Sequence, residues 1–238
     1  MKTVGIIGGL GPETTAEFYL EIIFGCYQQN KKHRPPILLW NVPISYDVEQ
    51  ELLTKNSGEE RYLPYLIDAA KRLEKAGADF LVMPCNTLHI FIEEIRKTVT
   101  IPMLSILEET TKFLKNKNIT KVGLLATSSS LKHRLYEKSF LQNGIEQILP
   151  NDFDQAKIGK IISNIVLNRQ GNTDREELLK IITKFKEKHV KNVILACTDL
   201  QLLIPHIPEL SIDDTMKIFA DATVDKILNW NQASHPEA

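Results

Sequence analysis

Two similar α/β halves with parallel sheets, related as a weak repeat, are what this chain of 238 residues predicts. Three observations carry that prediction. Short apolar runs alternate with helical patterns, which implies parallel strands joined by right-handed helical crossovers. The opening strand, Lys2-Thr-Val-Gly-Ile-Ile-Gly8, is replayed as Lys121-Val-Gly-Leu-Leu-Ala-Thr127. A strand that ends in Met83-Pro-Cys-Asn-Thr87 is replayed at a similar spacing as one that ends in Ala196-Cys-Thr-Asp199.

In order, the strand at about Thr3–Gly8 passes through Gly9-Leu-Gly-Pro12 into a helix from about Glu13 to Gln29. Glycines ahead of a helix expose backbone N–H groups to an anion. The run is a poor dinucleotide fingerprint: Thr14 stands where a third glycine belongs, and Pro12 removes a donor. The next strand, Ile37–Val42, has no acidic residue at its end to take a ribose, so no nicotinamide or flavin is expected. Pro43–Gln50 reads as a loop long enough to cover a site. A helix from about Glu59 to Lys75 carries Leu63, Leu66, Ile67, Ala70 and Leu73 on one face, and Gly77 ends it. The Cys85 strand follows, then a helix at about Leu88–Thr98, a short strand at Pro102–Ile106 and a helix at about Leu107–Lys115.

The polar run Lys115–Thr120 marks the crossing between halves, giving domains at 1–115 and 116–215. Past it come a strand to Thr127, a helix at about Leu131–Gln142 and a strand at Ile145–Leu149. Helices at about Asp154–Asn168 and Asp174–His189 lead to the Cys197 strand. A helix from about Ala222 to Trp230 closes the chain, and the tail from Asn231 to Ala238 is expected to fray.

Bulk properties narrow the function. Hydrophobic content of 43% and charged content of 25% are ordinary for a globular protein. A net charge of -1 argues against nucleic acid or an anionic membrane as partner. No apolar run approaches the roughly 20 residues of a membrane span, and a strand beginning by Thr3 leaves no room for a signal peptide. Three cysteines do not make a disulfide framework, and their spacing does not suit structural zinc. A reducing cytoplasm is the expected location.

The chemistry sits with two of those cysteines. Cys85 and Cys197 each end a strand, where open α/β sheets bind ligands. Each is followed by hydrogen-bonding residues, Asn86-Thr87 and Thr198-Asp199, at a helix start, a setting that draws a thiol pKa down towards neutrality. Cys26 lies mid-helix and reads as packing. If the two tips share a cleft, one sulfur takes a proton from a carbon acid while the other supplies one from the opposite face, inverting the centre. Helix N-termini, N–H groups and hydroxyls would stabilise the carbanion. No lysine in a phosphate-binding context suggests pyridoxal chemistry, so no cofactor is expected.

These motifs resemble the aspartate/glutamate racemase superfamily, and most closely its aspartate racemase branch. The resemblance rests on Gly8-Gly-Leu-Gly-Pro12 with Thr14-Thr-Ala-Glu17, Met83-Pro-Cys-Asn-Thr87 with His89, and Ile101-Pro102 with Glu108-Glu-Thr110. Gly123-Leu-Leu-Ala-Thr127 and Ala196-Cys-Thr-Asp199 complete it, over nearly the whole chain. A glutamate racemase would open with Asp-Ser-Gly and place a histidine after its second Cys-Thr. The resemblance implies two flavodoxin-like domains with the active site in the cleft between them, a C-terminal helix at 220–230 returning to the first domain, and a homodimer. It further implies cofactor-independent racemisation of an acidic amino acid, aspartate and also glutamate, with Cys85 and Cys197 as the acid/base pair. Leu10, Gly11, Asn86, Thr87, Thr127, Thr198 and Asp199 would bind substrate, with Lys157 at the distal carboxylate.

Ala196 replaces the usual glycine, Asp199 a glutamate, and Val48 an arginine that some aspartate racemases carry. Gln50 stands close by as a neutral donor, so use of both aspartate and glutamate is expected. Hydantoin racemase, maleate isomerase and malonate decarboxylase are alternatives within the superfamily. The decarboxylase type is disfavoured by two thiols, and the hydantoin type has no need of Lys157. A non-catalytic amino-acid-binding protein is the alternative of another class, and it has no use for paired thiols.

Overall fold

The computed structural model describes residues 1–228, apart from 56, 205, 206, 208 and 209. The first half comprises β1 (Val4–Gly8), α1 (Pro12–Asn30), β2 (Ile37–Asn41), α2 (Tyr46–Lys55), α3 (Leu63–Lys75), β3 (Phe80–Val82), α4 (Ile92–Arg96) and α5 (Ile106–Asn116). The second comprises β4 (Lys121–Ala126), α6 (Ser128–Lys132), α7 (Glu137–Gln142), β5 (Glu146–Ile148), α8 (Asp152–Val166), α9 (Asn172–Glu187), β6 (Asn192–Ala196) and β7 (Ser211–Asp214). The last helix, α10 (Thr215–Leu228), follows directly.

Both sheets are parallel, in the orders β2-β1-β3 and β5-β4-β6-β7. A parallel bridge from Leu81 to Met103 adds a fourth position to the first sheet, so the two halves share one strand order. Helices cover both faces, which is why β1, β3, β4 and β6 are apolar almost throughout. The final helix crosses back to the first half. Phe219 stacks on Phe18 with ring centroids 5.6 Å apart, and Val224 and Ile227 join Val4, Ile6 and Ile22 in one core. Gly25 allows the close approach, since a Cβ there would lie 2.9 Å from Val224 Cγ2.

Several details differ from the sequence reading. Pro43–Gln50 is a loop only as far as Ser45. Tyr46 then begins α2, whose start takes N–H bonds from Val48 and Glu49 to the Ser45 carbonyl and has Asp47 and Glu49 in its first turn. The helix expected at Leu88–Thr98 is a 3-10 helix at Thr87–Phe91 followed by α4. The strand expected at Pro102–Ile106 is reduced to the Met103 bridge, because Ser105 caps α5 by accepting from Leu107 and Glu108 N–H. The helix expected at Leu131–Gln142 is broken into α6 and α7, with Arg134 between them at a φ of 51°. β7 was not anticipated, because Ser-Ile-Asp-Asp has too little β-forming character, and α10 starts at Thr215 rather than Ala222. The expected end of that helix at Trp230 and the tail 231–238 lie outside the described residues.

Asp214 joins β7 to α10 as a cap, its carboxylate accepting from Met216 N–H at 2.9 Å and Lys217 N–H at 3.4 Å. Burial pushes its pKa from 3.8 up to about 7, partly offset by those N–H groups. A raised carboxylate pKa means the folded state holds the proton more tightly than the unfolded chain. Its contribution to stability is therefore fully present below pH 3.8 and is lost as pH rises through about 7. Asp214→Asn keeps an oxygen cap and removes the titration. The stability of wild type relative to this variant should fall between pH 4 and pH 7.5 in urea unfolding; an equal difference at both would refute the assignment.

Candidate active site

The ends of β1, β3, β4 and β6 converge on one cleft of about 910 Å³, counting its open mouth. From β1 the chain enters through Gly9 and Gly11 at φ of 80° and 96°, a conformation that favours glycine. Thr15 fixes this turn: its hydroxyl accepts from Gly9 N–H at 3.0 Å and donates to the Gly11 carbonyl at 2.8 Å. Space is short here as well. A Cβ on Gly11 would lie 2.6 Å from Thr14 Oγ1 and 3.2 Å from Asp199 Oδ1, so this first-half turn lies directly against the second half.

Past β3, Cys85 is half-buried and lines the cleft. His89 holds the backbone behind it. Its Nε2 accepts from Ile106 N–H at 3.1 Å, so Nδ1 carries the proton and donates to the Cys85 carbonyl at 2.6 Å. Burial keeps that imidazole neutral, its pKa lowered to about 4. Thr87 meets Thr127 at 2.9 Å between hydroxyl oxygens, which joins the tips of β3 and β4. Thr127 also caps α6, accepting from Ser130 N–H at 3.1 Å.

Cys197, at the tip of β6, lines the same cleft and directs its thiol at Asp199 Oδ2, 3.6 Å away. Burial pushes Asp199 up to about 6, with Glu13 and Glu49 adding to the rise, so it is largely ionised at neutral pH. The helix-start setting predicts thiols lowered towards neutrality, and the structure corrects this. Burial pushes Cys85 up to about 11 even though Leu88 and Thr87 N–H groups favour its thiolate. Cys197 is also raised well above the usual thiol value, by burial first and then by the Asp199 charge. Cys26, in the core beneath α10, is likewise raised to about 11 and stays a packing residue.

Two thiols in one cleft between paired parallel sheets accord with the sequence comparison, in which residues 7–223 match the Asp/Glu/Hydantoin racemase family. The chain belongs to that family. A broad specificity amino-acid racemase from Bacillus subtilis, RacX, is 29% identical over 95% of this chain and 99% of its own length. The aspartate racemase of Picrophilus torridus superposes with a TM-score of 0.78 at 25% identity, over 95% of this chain and 94% of the other. An aspartate racemase homologue from Pyrococcus horikoshii OT3 gives 0.75 at 26% identity, over 95% and 99%. Glutamate racemase from Francisella tularensis, at 15% identity and a TM-score of 0.65, shares the fold.

In this racemase-family chain the cleft gathers Leu10, Gly11, Cys85, Asn86, Thr87, Thr127, Cys197, Thr198 and Asp199. Two expected positions fall elsewhere. Lys157 binds Glu177 on α9 and lies 4.7 Å from the Phe153 ring. The cleft face of α8 is Gly159, Ile162, Ser163 and Val166, and at roughly 100° per residue Lys157 is turned to the far side. Gln50 is exposed on α2, while its neighbour Glu49 lines the cleft. Glu49 was missed because Pro43–Gln50 was read as loop, while Leu52 and Tyr62 lie beyond that segment and carried no signal of their own. Ser45 followed by Asp47 and Glu49, with Val48 and Leu52 four apart, was the available helix signal. No group of His, Cys, Asp and Glu among the described residues is arranged to hold a metal ion.

Raised thiol pKa values make the ligand-free protein slow to alkylate. Iodoacetamide labelling of Cys85, followed by mass spectrometry, should accelerate about tenfold per pH unit from pH 7 to 10. A plateau near pH 7 would show that the N–H groups outweigh burial.

Proposed function

We propose that the chain racemises a free α-amino acid through a two-base mechanism, with Cys85 and Cys197 supplying base and acid in place of a cofactor. The observation that carries this reading is that both thiols line one cleft, each from the strand tips of a different half. Cys85, with two N–H groups directed at its sulfur, is the better thiolate, and Cys197, facing the Asp199 carboxylate, is the better thiol. The substrate ammonium lowers the pKa of the nearby sulfur and so completes its ionisation. The Cys85 thiolate takes the Cα proton and becomes a thiol. The electron pair left on Cα spreads into the carboxylate, where the hydroxyls of Thr87, Thr127 and Thr198 stabilise it. Cys197 then delivers its proton to the opposite face and becomes the thiolate. The reverse reaction exchanges the roles.

The sequence expectation of an acidic substrate, aspartate and also glutamate, has the aspartate racemase relatives behind it, but the described lining of this cleft presents Glu49 and Asp199 and no cation. The broad specificity relative widens the range of side chains. A homodimer fits the same reading and is supported by Leu20, Phe24 and Tyr27, exposed four and three residues apart on α1. Among the described residues no helix is long and apolar enough to cross a membrane, which fits the proposed cytoplasmic location.

Cys85→Ser and Cys197→Ser should each lower racemisation by at least about a thousandfold, the scale on which an acid/base group acts. Cys26→Ser should retain activity. Chiral chromatography with no added cofactor reads interconversion, and Cα deuterium uptake from D2O reads proton removal. Full activity in either of the first two variants would eliminate the mechanism.

A further inference from the structure

The lining of the cleft around the two cysteines carries information about the substrate side chain. Ile44, Leu52 and Tyr62 wall it from the first half, and Ile162 and Val166 of α8 from the second. Glu49 stands among them as a carboxylate. The described residues lining the cleft include no lysine, arginine or histidine, and the Lys157 ammonium is held by Glu177 instead. With Asp199 the lining therefore carries two acidic groups and no cation.

One acidic group suffices for the α-ammonium of any amino acid, which leaves the other without a counter-charge. An acidic side chain would bring a further negative charge into this setting, where like charges in contact cost several kcal/mol. An aliphatic side chain ending in a cation would lay its methylenes on the apolar walls and present its charge to a carboxylate. The local electrostatics agree: burial raises the Glu49 pKa, and Glu13 raises it further, so an incoming cation would relieve rather than oppose its ionisation.

We propose that this site takes basic amino acids, of the lysine, ornithine and arginine class, in preference to aspartate and glutamate, with Glu49 receiving the side-chain cation. The proposal rests on the two-cysteine racemase reading and specifies its substrate.

The test measures kcat/KM for L-lysine, L-ornithine, L-arginine, L-norleucine, L-aspartate and L-glutamate, by chiral chromatography and by Cα deuterium uptake in D2O. Norleucine matches the lysine chain without its charge and so isolates the interaction at the tip. Basic substrates should exceed acidic ones by about 100-fold, with norleucine between them. In Glu49→Gln the lysine-to-norleucine ratio should fall at least about tenfold, mainly through KM for lysine. Acidic substrates turned over faster than basic ones, or an unchanged ratio in Glu49→Gln, would overturn the substrate class and leave the racemase reading standing. No exchange or interconversion with any amino acid would overturn both.

Discussion

Asn86 ties the two halves together at the residue next to the first thiol. It is buried, its Nδ2 donates to Thr215 Oγ1 at 3.0 Å, and its Oδ1 accepts from the Tyr136 hydroxyl. Thr215 in turn donates to the Leu195 carbonyl on β6, two residues before Cys197. A short chain of buried hydrogen bonds thus runs from beside one cysteine almost to the other. A buried polar group left unpaired costs about 1–3 kcal/mol, so each bond in this chain disfavours sliding one half past the other. The separation of the tips is consequently fixed by satisfied donors and acceptors across the join, and apolar packing alone does not set it. Thr87 against Thr127 repeats the principle one residue further along, and Glu59 accepting from Ser129 at 2.6 Å repeats it further out.

That rigidity suits the electrostatics of the thiols. A sulfur that removes a proton from carbon must be strongly basic, and burial supplies this by disfavouring the ionised form. The same burial leaves little thiolate in the empty site. Under the proposed mechanism positive charge would arrive with the substrate, so that binding and activation of the base would be one event. Asp199, facing Cys197, raises the pKa of that sulfur and in the proposed mechanism would keep it protonated while the other ionises. Two chemically identical side chains are thereby differentiated by their neighbours: N–H groups at one, a carboxylate at the other.

The strand tips were legible in the sequence because strand chemistry is local. An apolar run that ends in Cys-Asn-Thr or Cys-Thr-Asp places those three residues past the sheet edge whatever the rest of the fold does. The repeat of β1 as β4 gave the two-sheet plan for the same reason. Helix rotation is where legibility ended. Lys157 was placed on the right helix and Gln50 was read as loop, but one residue of helical rotation separates Gln50 from Glu49, and half a turn separates Lys157 from the cleft face of α8. Thiol pKa values also escaped the sequence, since the sign of the shift depends on how much dry protein surrounds each sulfur. β7 was invisible because its strand character comes from pairing with β6 rather than from Ser-Ile-Asp-Asp itself.

This division between strand tips and helix faces separates chemistry from selection. The groups that would handle the α-carbon, carboxylate and proton come from loops after β1, β3, β4 and β6, where backbone direction alone fixes them. The groups that would meet the side chain come from α2 and α8, where a change at a single helical position would exchange one character for another without disturbing the tips. Val48 illustrates the limit of such exchange. It is 3% exposed and packed in the first core, so a long cation at that position on this α2 would have to leave the core or bury its charge. Glu49, one residue on, faces the cleft instead. On the proposed reading, the same strand-tip groups could serve opposite side-chain charges, depending on which residues of the two helices are turned inward.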